Sequence, residues 1–283
     1  MTARPVDAEP DPAPQRVPGL ASTAIHGLLK APGTGMVLGT SGYAVWLLVH
    51  DSVIVVSTAD ATRLPNGIEI AADSSADPFA SVHHGETVEI GFDRVMLADL
   101  AITVARWWDP RPVLSPTTTS QLEDVMTDLP AEIAGIEAAP LREALENAST
   151  TGILTAARGL LGRGAGLTPE GDDYLAGALA ALRTIGPVIG SRHAESMLDA
   201  VGVPLARLAE ARTTTFSAAL IQHALRGQVA APAGDLLRAL AGRGDTRKSH
   251  QALIKVGHSS GPALAAGIVL GAQSLIHLQR RDQ

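Results

Sequence analysis

The chain contains no cysteine. Disulfide frameworks, thiolate zinc sites, iron–sulfur clusters and cysteine nucleophiles are therefore excluded, and any chemistry must use oxygen, imidazole or backbone groups. Aromatic residues are only 3% of the 283, too few for a base-stacking platform or an aromatic ligand cage. Positive charge is scarce as well: 22 Lys+Arg stand against 29 Asp+Glu, a formal charge of −7. That balance lacks the electrostatic footprint of non-specific nucleic-acid binding or of a polybasic membrane patch, so neither nucleic acid nor a membrane is an expected partner. The first residues carry no apolar run, and 1–19 reads as a disordered leader, neither a signal nor a transit peptide; the expected location is the cytoplasm. The nearest approach to a membrane span, Gly261 to Leu278 with Gly267-x-x-x-Gly271, is interrupted by Gln273, Ser274 and His277 and reads as a buried helix of a soluble protein.

What is present is a chain 46% hydrophobic and 18% charged, long enough to bury roughly three quarters of its unfolded surface. Strand-forming segments dominate from Met36 to Ala105: Met36 to Leu38, Tyr43 to Val49, Val53 to Ser57, Ile68 to Ile70 after the Asn66-Gly67 turn, and Thr87 to Ile90 after His83-His84-Gly85. Beyond Pro110, Pro112 and Pro116 the apolar spacing becomes helical, as in Leu122, Val125, Met126 and Leu129 or Leu141, Ala144 and Leu145. The expected fold is α+β, with a β-rich small barrel or sandwich over 20–112 and a mostly α-helical domain over 113–283. Pro204 to Leu225 is expected to form one helix entered at the proline. His83 and His84 read as turn residues, and Trp107 and Trp108 as packing at the domain boundary.

The sharpest motif is Gly162-Arg163-Gly164-Ala165-Gly166-Leu167-Thr168-Pro169-Glu170-Gly171-Asp172-Asp173, a loop running into a helix. Thr168 suits an N-cap and Pro169 the first helical position, so first-turn N–H groups should face the glycine loop as a small-anion site. It is neither a dinucleotide-binding fingerprint, for want of a correctly placed third glycine, nor a phosphate-binding Walker loop, for want of Gly-Lys-Ser/Thr. Asp172 and Asp173 complement the helix dipole but would repel an anion held there. Three roles stay open for them: dipole complementation, orientation of an arginine or of a substrate amide, and Mg²⁺ coordination. Adjacent helical positions lie about 100° apart, so the two carboxylates should do different jobs.

Two further segments carry chemistry. Gly257-His258-Ser259-Ser260-Gly261 leads into a second small-residue helix, where His258 could act as acid, base or anion contact and Ser259 and Ser260 as donors. No nucleophile elbow is present to make a Ser-His-acid triad. The spacing Gly171 to Gly177 is repeated in Gly261 to Gly267, which hints at an internal duplication. Arg212-Thr213-Thr214-Thr215-Phe216-Ser217 places a guanidinium among poor helix formers; Arg212 could grip an oxyanion, or be a solvated arginine beside a Thr-rich kink.

The combination of Gly164 to Gly177, Arg212 to Ser217 and Gly257 to Gly261 resembles a bacterial family that includes the AllH-like subunit of oxamate carbamoyltransferase. The resemblance covers about 150–280, and over 20–110 only in general character. It implies an intracellular protein of purine-derived ureide (allantoin) catabolism that works with two other chains. The prototype reaction moves a carbamoyl group between oxalurate, oxamate, phosphate and carbamoyl phosphate. With that reaction in view, Gly164, Gly166, Thr168 and Gly171 with Arg212, Thr213, Ser259 and Ser260 are the candidate substrate and anion contacts, and Asp172, Asp173 and His258 the candidate catalytic groups. Neither a metal nor another cofactor is required, Mg²⁺ at Asp172 and Asp173 being the one alternative. Two other readings remain: a non-catalytic scaffold or metabolite-binding regulatory subunit, and a stand-alone hydrolase of a ureido or amide acid.

Overall fold

The computed structural model describes residues 14–281. Its first part is built from β1 (Gln15–Ser22), α1 (His26–Lys30), β2 (Gly33–Thr40), β3 (Ala44–Val49), β4 (Ser52–Ser57), β5 (Gly67–Ile70), β6 (Thr87–Gly91), β7 (Arg94–Leu97) and β8 (Leu100–Trp108). These strands close into a barrel in the order β1-β5-β4-β3-β2-β6-β7-β8, with β1–β8 and β4–β5 parallel and the other pairs antiparallel. Closure leaves no free edge, and of the two expected architectures the barrel is the one formed. Residues 14–19, expected in the leader, lie instead at the start of this sheet, where Gln15 to Gly19 pair with Leu100 to Val104; the rest of the leader falls outside the described residues. The strand was hidden because its burial alternates weakly and Pro18 interrupts its pattern.

The barrel interior is filled by alternate residues such as Val45, Leu47 and Val49 of β3 and Ile54 and Val56 of β4, with Leu29 of α1 in the same core. β4 is apolar at consecutive positions because both its faces are covered. Val53 and Val55 point outward and join Ala44 and Phe216 in a separate cluster, and Trp46 meets the Phe216 ring edge-on at 6.2 Å. This seam fixes the barrel against the helices.

The helical part comprises α2 (Thr119–Met126), α3 (Ala139–Glu146), α4 (Thr150–Leu160), α5 (Glu170–Ile189), α6 (Arg192–Arg212), α7 (Thr215–Leu225), α8 (Ala231–Leu240), α9 (Thr246–Leu253) and α10 (Ser260–Arg281). At its centre α5 and α10 run parallel with their starts adjacent. A β-carbon on Gly177 would stand 2.3 Å from the Leu264 carbonyl oxygen, and one on Gly267 would stand 2.0 Å from that of Tyr174. The contacts are reciprocal, since Tyr174 and Leu264, Gly177 and Gly267, and Ala178 and Ile268 are pairs at one common spacing along the chain. α10 is long and apolar enough to cross a membrane by length and composition, and it lies mostly buried in this protein.

The expected single helix from Pro204 to Leu225 is two. α6 runs through Pro204 to Arg212, Thr213 is extended, and α7 restarts at Thr215. Pro204 lies inside α6, so the break comes from the threonines: the Thr214 hydroxyl accepts from the Ser217 N–H at 3.0 Å and caps α7.

Candidate functional site

The glycine loop joins α4 to α5. Gly162, Gly164 and Gly166 all have positive φ, at 74°, 119° and 91°, so the backbone path itself demands them. The helix then starts one residue later than the sequence suggests. Pro169 occupies the cap position without a side-chain cap, and Thr168 lies outside with its hydroxyl 2.7 Å from that of Ser260. Three of the first-turn donors are not open to an anion: the Gly171 N–H donates to the Arg163 carbonyl at 2.9 Å, and those of Asp172 and Asp173 donate to the Pro169 carbonyl. Gly171 is needed for close packing, because a β-carbon there would stand 2.1 Å from the Leu160 carbonyl oxygen.

Asp172 and Asp173 have opposite surroundings. Asp172 is buried, and its carboxylate accepts from the Gly162 N–H at 2.8 Å, the Ser217 hydroxyl at 2.7 Å and the Thr213 hydroxyl. It therefore ties the glycine loop, the end of α6 and the start of α7 together. The Thr214 hydroxyl adds a bond to the Leu167 carbonyl at 2.6 Å. The hydroxyl cluster at Thr213 to Ser217 is explained by this clasp. Thr213 is thus a structural partner of Asp172.

Asp173 is 7% exposed, and its Oδ2 is buried with no hydrogen-bond partner among the described residues. Burial pushes its carboxyl up to about 8; the Ser260 and Thr168 hydroxyls act against this, while the charges of Asp172 and Glu170 reinforce it. It lines a cavity of about 200 Å³ at the seam between barrel and helices. Thr62, Leu64 and Pro65 of the β4–β5 connection form one wall, Phe216, Leu220 and Ala224 of α7 another, and Val229, Ala230 and Pro232 a third. Leu253, Val256, Gly257, Ser260, Gly261 and Leu264 close it from α9 and α10. The β4–β5 wall is held in place by the Arg63–Glu69 pair at 2.9 and 3.0 Å, with the Arg63 guanidinium 5.7 Å from the Trp108 ring centroid, and by the Ala231 N–H donating to the Arg63 carbonyl. Asp173 is the one titratable group among the described residues of this lining, and the surface is almost wholly apolar.

The structure thus brings Thr168, Asp173 and Ser260 together and leaves other expected residues apart. Gly164 and Gly166 are exposed in the loop, and His258 is exposed on the α9–α10 turn, beside but not among the residues lining the cavity. Ser259 is half-buried, and its carbonyl accepts from the Ala263 N–H at 3.1 Å. Arg212 is exposed at the end of α6, outside the lining. Among the described residues no three His, Asp or Glu side chains gather as a metal-ligand group. His84 holds the Leu38 carbonyl at 3.0 Å, and Trp107 packs edge-on against His26 at 4.7 Å. Sequence reasoning missed Leu64, Phe216, Leu220 and Val229 as site residues, since isolated apolar residues carry no signal of a cavity wall.

Comparison with known proteins locates the same region. Residues 160–272 match the family model described as oxamate carbamoyltransferase subunit AllH, which bears out the resemblance read from Gly164 to Gly177, Arg212 to Ser217 and Gly257 to Gly261. The match spans less than half of the chain and leaves the barrel outside it. No curated protein and no solved structure matches the chain.

Proposed function

We propose that this chain is a subunit of a carbamoyltransferase of the oxamate-carbamoyltransferase kind and that its working site is the cavity around Asp173. The supporting observation is that three separated segments of the family match contribute to one cavity: Thr168 and Asp173, Phe216, and Gly257, Ser260 and Gly261. The substrate class is a small ureido or amide carboxylic acid. In the transfer, a nucleophilic nitrogen of the acceptor bonds to the carbamoyl carbon, the bond from that carbon to the phosphate oxygen breaks, and the nitrogen gives up a proton. The chain's part is to hold and orient a reactant in a water-poor pocket with donors near its carbonyl oxygen. No cationic side chain lies among the described lining residues to balance a carboxylate or phosphate, so the charged end of the substrate is assigned to groups outside this cavity, either the exposed Arg163 and Arg212 or other subunits. On this reading the setting is ureide catabolism in the cytoplasm.

The test is carbamoyl transfer by the enzyme assembled with its associated proteins, compared between wild type and Ala176→Leu, which enlarges a residue of α5 that lines the cavity and so fills it. A loss of at least tenfold with assembly intact is expected, and undiminished turnover would remove the cavity from the reaction. Turnover by the isolated chain with water as acceptor would establish the hydrolase reading instead.

A further inference from the structure

We infer that the Asp173 cavity recognises an uncharged carboxamide or ureido group, and rejects carboxylate and phosphate, with Asp173 acting as a neutral carboxyl that donates to the ligand's carbonyl oxygen. The inference rests on the reading of the cavity as the working site and deepens it.

The pocket offers no positive side chain to balance the anion that the glycine loop suggests. None of the described lining residues is a Lys, Arg or His. The N–H groups of Gly171, Asp172 and Asp173 are occupied by backbone carbonyls. Two further acids, Asp172 and Glu170, stand in the same helical turn, so a second negative charge would be desolvated and repelled without a compensating partner. A neutral polar group meets no such cost.

The polar groups at the Asp173 end complement an amide; the other polar residues of the lining are Thr62 and Gln228, whose Oε1 is held by the His223 ring at 2.7 Å. A protonated carboxyl offers an O–H donor and a carbonyl acceptor side by side, the mirror of the acceptor and donor of a CO–NH₂ group. Asp173 is buried, and its Oδ2 lacks a partner that a ligand carbonyl would supply. Thr168 and Ser260 are bonded to each other at 2.7 Å, and each hydroxyl can still accept from a ligand N–H. The χ2 torsion of aspartate is soft, so either carboxyl oxygen can turn toward the cavity. Leu64, Phe216, Leu220, Val229 and Leu264 surround this polar end with apolar surface, which suits a compact uncharged body. Burial above all holds Asp173 neutral, the Ser260 and Thr168 hydroxyls oppose it, and Asp172 and Glu170 are the charged groups that reinforce it; the β4–β5 connection, α7, the start of α8 and the α9–α10 turn present no titratable side chain to the cavity among the described residues.

The experiment is calorimetric titration of the full chain with isobutyramide and with isobutyrate at pH 6.5 and pH 9.0. Isobutyramide is expected to bind at pH 6.5 and to weaken by about tenfold at pH 9.0, as the neutral form of Asp173 becomes the minor one. Isobutyrate is expected not to bind at either pH. Asp173→Asn keeps a donor and an acceptor and should bind isobutyramide equally at both pH values, while Ala176→Leu should abolish binding. Isobutyrate binding as tightly as the amide, a wild-type amide affinity independent of pH, or no amide binding to the folded chain would each overturn the inference. If the amide fails to bind while Ala176→Leu still abolishes transfer in the assembled enzyme, the inference falls and the working site stands. If the amide binds while the filled cavity leaves turnover intact, the working site falls instead.

Discussion

The hydroxyls of Thr168 and Ser260, ahead of one helix and at the start of another, stand 2.7 Å apart. This bond joins the starts of α5 and α10 at the polar end of an otherwise apolar cavity. Removing either hydroxyl leaves the other half-buried without its partner. Thr168→Val and Ser260→Ala are each expected to cost about 1–2 kcal/mol, and the double variant to cost less than the sum, as read by a denaturant double-mutant cycle.

Asp172 is expected to be a stability residue. Asp172→Ala would leave the Gly162 N–H and the Thr213 and Ser217 hydroxyls without their acceptor. A loss of about 3 kcal/mol or more in denaturant unfolding is expected. Asp172→Asn should lose less, since one amide oxygen still accepts.

Asp173 is expected to make stability depend on pH. Its folded pKa, about 8, lies above the ordinary value of 3.8, so between the two the folded state holds a proton that the unfolded state has released. Stability contributed by the neutral carboxyl is fully present below about pH 4 and is lost progressively as pH rises to about 8. Asp173→Asn should flatten that slope and raise stability at pH 8 by an amount on the order of a few kcal/mol, measured as unfolding free energy across pH 4–9.

The crossing of α5 and α10 should tolerate no side chain at its centre. Gly267→Ala places a methyl 2.0 Å from the Tyr174 carbonyl oxygen, and the backbone must move to accept it. A loss of about 3 kcal/mol or more is expected, with a lower melting temperature. Gly202→Ala, where the added atom meets nothing within 4 Å, is the control and should be neutral or stabilising.

Phe216 joins the barrel to the helices and also walls the cavity. Phe216→Ala is expected to cost about 3–5 kcal/mol and to weaken any ligand of the cavity, read by thermal unfolding with and without isobutyramide.

Much of the barrel was legible because period-two alternation in β3 and β6 reports one buried face, and Asn66-Gly67 marks the turn into β5. β1 was not legible, because its pairing with β8 comes from the far end of the domain. In the helical part, apolar spacing located α2 and α3, but the break at Thr213 was misplaced to Pro204. Pro204 is tolerated on the exposed side of a helix that Leu198, Val201 and Leu205 anchor in the core, whereas Thr213, with a carboxylate partner across the fold, ends that helix.

The sequence by itself determined the residue types the chemistry must use, the β-then-α order, the glycine loop ahead of a helix and the likeness to the AllH family. It also marked Asp172 and Asp173 as a pair needing separate explanations. Only the tertiary structure decided which of them is clasped by three donors and which is left in an apolar cavity. The physical reason is that local sequence fixes the direction in which each side chain leaves its helix and supplies the nearby Gly162 N–H, while the hydroxyl partners are separated by 41, 45 and 92 residues and are brought together only when α7 and α10 pack against α5.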